Sequence, residues 1–299
     1  MERIGLVGLG RMGQAIAGRL LEAGFPLTVY NRTPERARAL LARGAAWAAT
    51  PAELAARSDT VLTVLTDDRA VEQVFCGPQG LLSDDAAGHL FIEMSTIRPR
   101  TIATLRPLAE ARGAHLLDAP FTGSLGPARE GKLLFMVGGA AEDIDHARPV
   151  LETLGRRIVH CGPSGAGTTM KLVVNMPVVS YWAGISEALA LGQQSGLELE
   201  QMLNVMLDSA FAPPALHAKA PLLLGQEHEV SFDVTGVRKD ALAMLATGLD
   251  AGVPMPTTAA AQALFATATA AGYGDRDLIF VIEYLLETVR KASGRAVEQ

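Results

Sequence analysis

A chain of 299 residues is long enough to bury a sizeable core and to divide into two domains. Its 26 basic and 32 acidic residues leave a net charge of -6, so no broad positive field is offered to a phosphate backbone and nucleic acid is not an expected partner. The two cysteines, Cys76 and Cys161, are too few and too far apart for a disulfide scaffold, which fits a reducing cytoplasm.

The opening "MERIGLVGLGRMG" lacks the basic start, long apolar run and cleavage site of a signal peptide and reads as a strand entering a turn. "RIGLVGL" is then a first strand, "MGQAIAGRLLEAG" a helix closed by Gly24, "PLTVYN" a second strand and "TPERARALLARG" a helix with Pro34 in its first turn. Further strands are predicted at "TVLTVL", "HLFIEM", "AHLLDAP", "LLFMVGG" and "RRIVHCG". Strands that alternate with helices predict a parallel sheet. After Cys161 the strand signals stop. A long helix is predicted from about Gly165 to Ser195, with Pro177 as a candidate kink, and the rest is helical down to "LIFVIEYLLETVRKA". The longest strongly apolar stretch, "LVVNMPVVSYWAGIS", has 15 residues interrupted by Asn175 and Pro177, too short for a membrane span, so it reads as a buried helix and no membrane is expected.

In "GLGRMG", Gly8, Gly10 and Gly13 match G-x-G-x-x-G directly after a strand and directly before a helix. The first glycine allows the tight turn, the second a close approach to a pyrophosphate and the third close helix-strand packing, while the helix N-terminus, opened by Arg11 and Met12, favours the anion. The class that follows is α/β: a Rossmann-type doubly wound sheet over residues 1–162 and an all-α domain over residues 163–299, entered by a long interdomain helix. About 20 residues past the glycines, where an NAD enzyme commonly carries Asp or Glu, the chain reads "YNRTPE". Arg32 supplies a guanidinium and Asn31 and Thr33 supply hydrogen-bonding groups suited to a 2'-phosphate, so NADP(H) is preferred and NAD(H) remains possible. The competing reading makes Arg32 a solvated residue at a helix entry.

Three further stretches carry chemistry less specifically. "DAPFTGS", Asp118 to Ser124, offers hydroxyls and backbone N–H groups at a glycine turn that can hold a carboxylate, or is a simple turn punctuated by Pro120 and Gly123. In "FDVTGVRKD", Lys239 and Asp240 are equally readable as solvated helix charges. Lys171 shares a helix face with Asn175 and has Leu172, Val173 and Val174 as apolar neighbours, so it is either a partly desolvated proton donor or a lysine that snorkels to water. His89, His115, His146, His160, His217 and His228 show no metal-ligand spacing and read as structural or solvated.

In their order, "GLGRMG", "NRT", "DAPFTGS", "GAGTTMKLVVN" and the "KD" of Lys239 and Asp240 resemble the motif series of the β-hydroxyacid dehydrogenase family, whose members include 3-hydroxyisobutyrate dehydrogenase, tartronate semialdehyde reductase and glyoxylate/succinic semialdehyde reductase. The resemblance spans nearly the whole chain. It implies that Lys171 is the catalytic lysine, that Asn175 helps hold the substrate, and that Thr122, Gly123 and Ser124 form the carboxylate-binding loop. It further implies that Lys239, accompanied by Asp240, lies near cofactor and substrate, and that Leu65, Thr66 and Thr96 line the nicotinamide side of the cofactor groove. The commonest family loop, Asp-Ala-Pro-Val-Ser-Gly-Gly, differs at Phe121, Thr122 and Ser124, which look more like the glyoxylate/succinic semialdehyde reductase branch. Pro127 and Val174 replace a usual glycine and a frequent asparagine.

The activity so implied is hydride transfer between NADP(H) and a small carboxylate-bearing hydroxyacid, semialdehyde or keto acid, with Lys171 as general acid/base and no metal. An NADPH-dependent imine reductase and a non-catalytic NADP-binding module are the alternatives. The apolar helices of the second domain lead us to expect a homo-oligomer, dimer or tetramer.

Overall fold

A computed structural model describes residues 2–83, 86–227 and 229–292, so His228 lies outside the described residues. The chain forms two compact units, Met1–Val173 and Val174–Gln299.

The first unit runs β1 (Ile4–Val7), α1 (Arg11–Glu22), β2 (Leu27–Tyr30), a 3-10 turn (Pro34–Ala37), α2 (Arg38–Leu41), β3 (Ala46–Trp47), α3 (Pro51–Ala56), β4 (Thr60–Thr63), α4 (Asp68–Cys76), β5 (Leu90–Glu93), α5 (Pro99–Glu110), β6 (His115–Asp118), β7 (Phe121–Thr122), α6 (Leu125–Arg129), β8 (Leu133–Gly138), α7 (Ala141–Leu154), β9 (Gly155–Gly162) and the start of α8 (Ala166–Gln194). The sheet has nine strands in the order β3-β2-β1-β4-β5-β6-β8-β7, with β9 beside β8. From β3 to β6 every pairing is parallel, and β1, β4 and β5 are buried along their whole length. Strands covered on both faces read as continuous apolar runs. Their side chains feed two cores: Ile4, Leu62 and Ile92 join Ile16 and Leu20 of α1 on one side, and Val7, Val61 and Phe91 join Phe75 of α4 and Ile102 of α5 on the other. The sheet is therefore doubly wound.

Two expectations need correction. Strand β8 runs antiparallel to both β6 and β7, so the sheet is mixed; an apolar run fixes burial but not direction. The helix expected over "TPERARALLARG" is broken into the 3-10 turn and the four-residue α2.

Helix α8 runs 29 residues without interruption at Asn175 or Pro177, and the unit boundary falls within it. By length and composition alone it could cross a membrane, its most apolar window averaging a hydropathy of 1.2, which the 15-residue stretch marked off in the sequence did not anticipate. Leu172, Val179, Trp182, Ser186 and Leu189 form a buried stripe at helical spacing, as in a core-packing helix.

The second unit continues with α9 (Leu199–Leu207), α10 (Pro214–Leu223), α11 (Val234–Asp250), α12 (Pro256–Ala268), a π turn (Thr269–Tyr273) and α13 (Phe280–Ala292). Val237, Met244, Phe265, Ile279 and Ile282 are buried among these helices. Lys219 of α10 reaches Asp277, just before α13, at 2.6 Å to each carboxylate oxygen, and the two side chains are 13% and 3% exposed. Removing one member of such a pair strands the other charge away from water. Lys219→Met is expected to lower unfolding stability by about 3 kcal/mol, read from the midpoint of urea denaturation; an unchanged midpoint would show that Asp277 is solvated.

Candidate active site

The three glycines of the first βα turn are glycine for different reasons. Gly8 has φ +99°, and a Cβ there would lie 2.2 Å from the Val64 carbonyl oxygen. A Cβ on Gly13 would lie 1.9 Å from the Gly8 carbonyl oxygen. Both are required by the chain's own packing. Gly10 is extended, with φ -70° and ψ -174°, and a Cβ on it would meet no atom within 4 Å. Nothing in the protein forbids a side chain at Gly10, and its open side faces the approach to the α1 N-terminus, where it serves as the cap residue without a side-chain bond. Arg11, exposed, and Met12, half-buried, form the first helical turn behind it. An uncapped helix start with an open glycine in front of it is a cradle for a pyrophosphate.

A groove of about 550 Å³ extends from this cradle, lined by Gly8, Gly10, Asn31, Arg32, Thr33, Leu65 and Thr66 among the expected cofactor residues. Arg11, Met12, Gly13 and Thr96 are not among its lining. Asn31 joins two loops: its Oδ1 accepts from the Leu9 N–H at 2.9 Å and its Nδ2 donates to the Thr33 carbonyl at 2.9 Å. Arg36, also in the lining, puts a second guanidinium-bearing residue one turn after Arg32. Sequence reasoning missed Arg36, although the spacing of four residues was a usable signal.

Two buried acids sit at the ends of neighbouring strands, in register with each other: Glu93 on β5 and Asp118 on β6. Glu93 accepts from the Ser95 N–H at 2.6 Å and from the Thr63 hydroxyl, and the Ser95 hydroxyl accepts from the Leu65 N–H at 2.8 Å. Burial pushes the Glu93 pKa up to about 7, opposed by its donors at Ser95 and Thr63 and reinforced by the charge of Asp118. Asp118 accepts from the N–H groups of Gly165 and Thr168, both at 2.7 Å, at the start of α8. Burial raises its pKa while these donors lower it. Neither acid was singled out from sequence; the available signal was a carboxylate closing an otherwise apolar strand.

Lys171 stands on α8 one turn beyond Thr168 and is half-buried. Leu172 is buried, but Val173 is 54% and Val174 39% exposed, so the apolar surround inferred from its neighbours in sequence is only partly present. Successive helix residues point 100° apart and cannot all flank one side chain. On the loop after β6, Thr122 is half-buried in β7, while Gly123, with φ +135°, and Ser124, the cap of α6, are exposed. In the second unit, Asn175 Nδ2 donates to Asp240 Oδ2 at 2.9 Å, and Lys239 Nζ lies 2.7 Å from Asp240 Oδ1. Asp240 is buried, so these residues form one cluster rather than a pair of solvated helix charges. Among the described residues, no group of three His, Cys, Asp or Glu side chains could hold a metal.

Comparison with known proteins agrees with this geometry. Residues 3–162 match the NAD binding domain of 6-phosphogluconate dehydrogenase, and residues 165–285 match the NAD-binding domain of NADP-dependent 3-hydroxyisobutyrate dehydrogenase. Glyoxylate/succinic semialdehyde reductase 1 of Arabidopsis thaliana is 32% identical over 94% of this chain and 97% of its own length. The 3-hydroxyisobutyrate dehydrogenase of Pseudomonas aeruginosa is 36% identical over 89% of this chain and 91% of its own length. The structure of Mycobacterium tuberculosis 3-hydroxyisobutyrate dehydrogenase with L-serine superposes with a TM-score of 0.82 at 29% identity, over 95% of this chain and 99% of that one. The chain belongs to the β-hydroxyacid dehydrogenase family. It is an NAD(P)-dependent oxidoreductase.

Because Gly10 is open on the protein side, Gly10→Ala is expected to leave the thermal midpoint within about 2 °C, the small entropic gain of Ala offsetting little else. The same change should weaken NADPH binding at least tenfold by obstructing the phosphate approach, measured by quenching or enhancement of NADPH fluorescence. Unaltered binding would remove the cradle from Gly10.

Proposed function

We propose that the protein interconverts a small carboxylate-bearing hydroxyacid with the corresponding semialdehyde or keto acid, using NADP(H) and Lys171 as general acid/base. The observation that carries this reading is the position of Lys171. It stands on the helix that Asp118 fastens to the end of β6, and β6 leads directly into the Thr122–Ser124 loop. When bound, the nicotinamide supplies or takes up the hydride. Lys171 gives its proton to the carbonyl oxygen during reduction and recovers one from the hydroxyl during oxidation, so charge developing on that oxygen is neutralised as it forms. Thr122 and the Gly123 backbone, with Ser124, hold the substrate carboxylate, and Asn175 orients the reacting end. Lys239 offsets the charge of buried Asp240, which in turn holds the Asn175 amide.

The preference for NADP(H) rests on three features: the three residues directly after β2, Asn31 to Thr33, include no carboxylate, Arg32 and Arg36 both line the groove, and Thr33 adds a hydroxyl. Glyoxylate and succinic semialdehyde, named for one relative, and methylmalonate semialdehyde, the aldehyde that oxidation of 3-hydroxyisobutyrate yields, are the first substrates to try. Leu191, Val205, Phe211 and Leu249, between 68% and 87% exposed, favour a homo-oligomer whose partner covers them.

The test is NADPH oxidation, with NADH in parallel, against those three aldehydes and tartronate semialdehyde. Lys171→Ala is expected to lower kcat by about 10²- to 10⁴-fold with NADPH still bound. Activity that survives it would remove the lysine from the chemistry. Silence across the panel despite tight NADPH binding would favour an imine reductase or a cofactor-sensing module. Arg32→Ala combined with Arg36→Ala is expected to raise KM for NADPH at least about tenfold and leave KM for NADH within about twofold, as loss of charge-assisted phosphate contacts requires; equal effects on both would refute the 2'-phosphate assignment.

A further inference from the structure

The loops after β4 and β5, which carry Leu65, Thr66 and Thr96, are laced together at several points. The Leu65 N–H donates to the Ser95 hydroxyl at 2.8 Å, the Arg98 N–H donates to Asp68 Oδ1 at 2.9 Å, the Thr101 hydroxyl donates to the same carboxylate, and Arg98 Nε lies 3.3 Å from Asp68 Oδ2. The laced pair borders the cofactor groove through Leu65, Thr66 and the α4 residues Gln73 and Val74. At its root stands Glu93, 1% exposed, at the last position of β5.

We infer that Glu93 is a positioning residue for cofactor binding: through Ser95 it fixes the Leu65 backbone, and its ionisation tightens the groove wall that the laced loops form. An ionised carboxylate is acceptor-only, so it takes hydrogen bonds from the Ser95 N–H, the Ser95 hydroxyl and the Thr63 hydroxyl. With its proton committed to Glu93, the Ser95 hydroxyl turns a lone pair to the Leu65 N–H. A protonated Glu93 carries a donor of its own, and one of the two hydroxyls loses its acceptor. The groups around Glu93 are few. Asp118 on β6 is the charged group that acts on it, and Thr63 on β4 and Ser95 are neutral. Burial together with Asp118 brings the Glu93 pKa up to about 7, so the switch lies in the range where an enzyme is assayed. The cost of ionising one buried acid beside another is offset by these donors, which accounts for Ser95 two residues after Glu93 and for Thr63 opposite it on β4.

The experiment is the dissociation constant of NADPH, from its fluorescence, between pH 5.5 and 8.5 for wild type, Glu93→Gln and Ser95→Ala. Wild type should bind about three- to tenfold more weakly below the transition near pH 7 than above it, after the 2'-phosphate's own ionisation is removed by reference to NADH. Glu93→Gln, neutral at every pH, should hold the low-pH affinity throughout, and Ser95→Ala should flatten the profile while leaving Glu93 in place. A Glu93→Gln profile that tracks wild type, or a Ser95→Ala profile that keeps the transition, overturns the inference. Should Glu93→Gln fail to fold, Ser95→Ala alone decides. Because cofactor binding is read without turnover, the outcome is independent of the substrate and of Lys171.

Discussion

The hydrogen bonds from the Gly165 and Thr168 N–H groups to the Asp118 carboxylate are the constraint on which the junction of β6 with the start of α8 depends. A helix start leaves N–H groups without partners and carries a partial positive charge, so a carboxylate is stabilised there even when burial opposes its ionisation. Asp118 is fully buried and ends β6, whose chain continues into the Thr122–Ser124 loop. One side chain thus ties the loop and the start of α8 to the same strand end. Glycines make room for it: a Cβ on Gly138 would lie 2.6 Å from Asp118 Oδ1, and one on Gly167 would lie 2.3 Å from the Met136 carbonyl oxygen. The helix backbone then carries the constraint one turn further, to Lys171.

The same economy of backbone contact separates fold from function at the cofactor cradle. Gly8 and Gly13 are needed whether or not a dinucleotide is ever bound, since Gly8 stands against the Val64 carbonyl oxygen after β4 and Gly13 against the Gly8 carbonyl oxygen of the turn itself. Gly10 has ordinary extended geometry and free space, so its lack of a side chain has no structural cause in the protein. A residue that the fold does not require is the one whose identity speaks for a ligand. This distinction turns a glycine pattern, common enough as a corner in an α/β sheet, into an argument about binding.

Much of this was legible in the sequence, and what was not has identifiable causes. Strands β1, β4 and β5 were readable because a strand buried on both faces is a run of apolar residues, and the order of helices and strands gave the winding. The direction of β8 was not, because Leu133–Gly138 would look the same in either orientation. The two-residue strands β3 and β7 fall below any periodic signal. For the candidate site, motif positions pointed to the Gly8–Gly13 turn and to Lys171, yet Asp118 is held by contacts 47 and 50 residues away along the chain, and Glu93 meets Thr63, 30 residues distant. Adjacent residues misled in one place. Val173, two residues after Lys171, points to the far side of the helix, and Val174, on the near side, is 39% exposed and supplies little apolar cover.

The cluster in the second unit constrains the chemistry available to Asn175. Asp240, when ionised, can only accept, so the Asn175 amide must present its nitrogen to it, and the 2.9 Å contact is made by Nδ2. The amide oxygen is thereby turned the other way. An outward amide oxygen suits a donor, such as an ammonium or a substrate hydroxyl, and repels a carboxylate or a carbonyl oxygen. Lys239 Nζ, at 2.7 Å from Oδ1, takes up the other oxygen of the same carboxylate and leaves Oδ2 to the amide. The lysine-aspartate pair on α11 therefore contributes a defined polarity rather than a charge: it leaves the amide oxygen of Asn175, one helical turn after Lys171, as the free acceptor of that side chain.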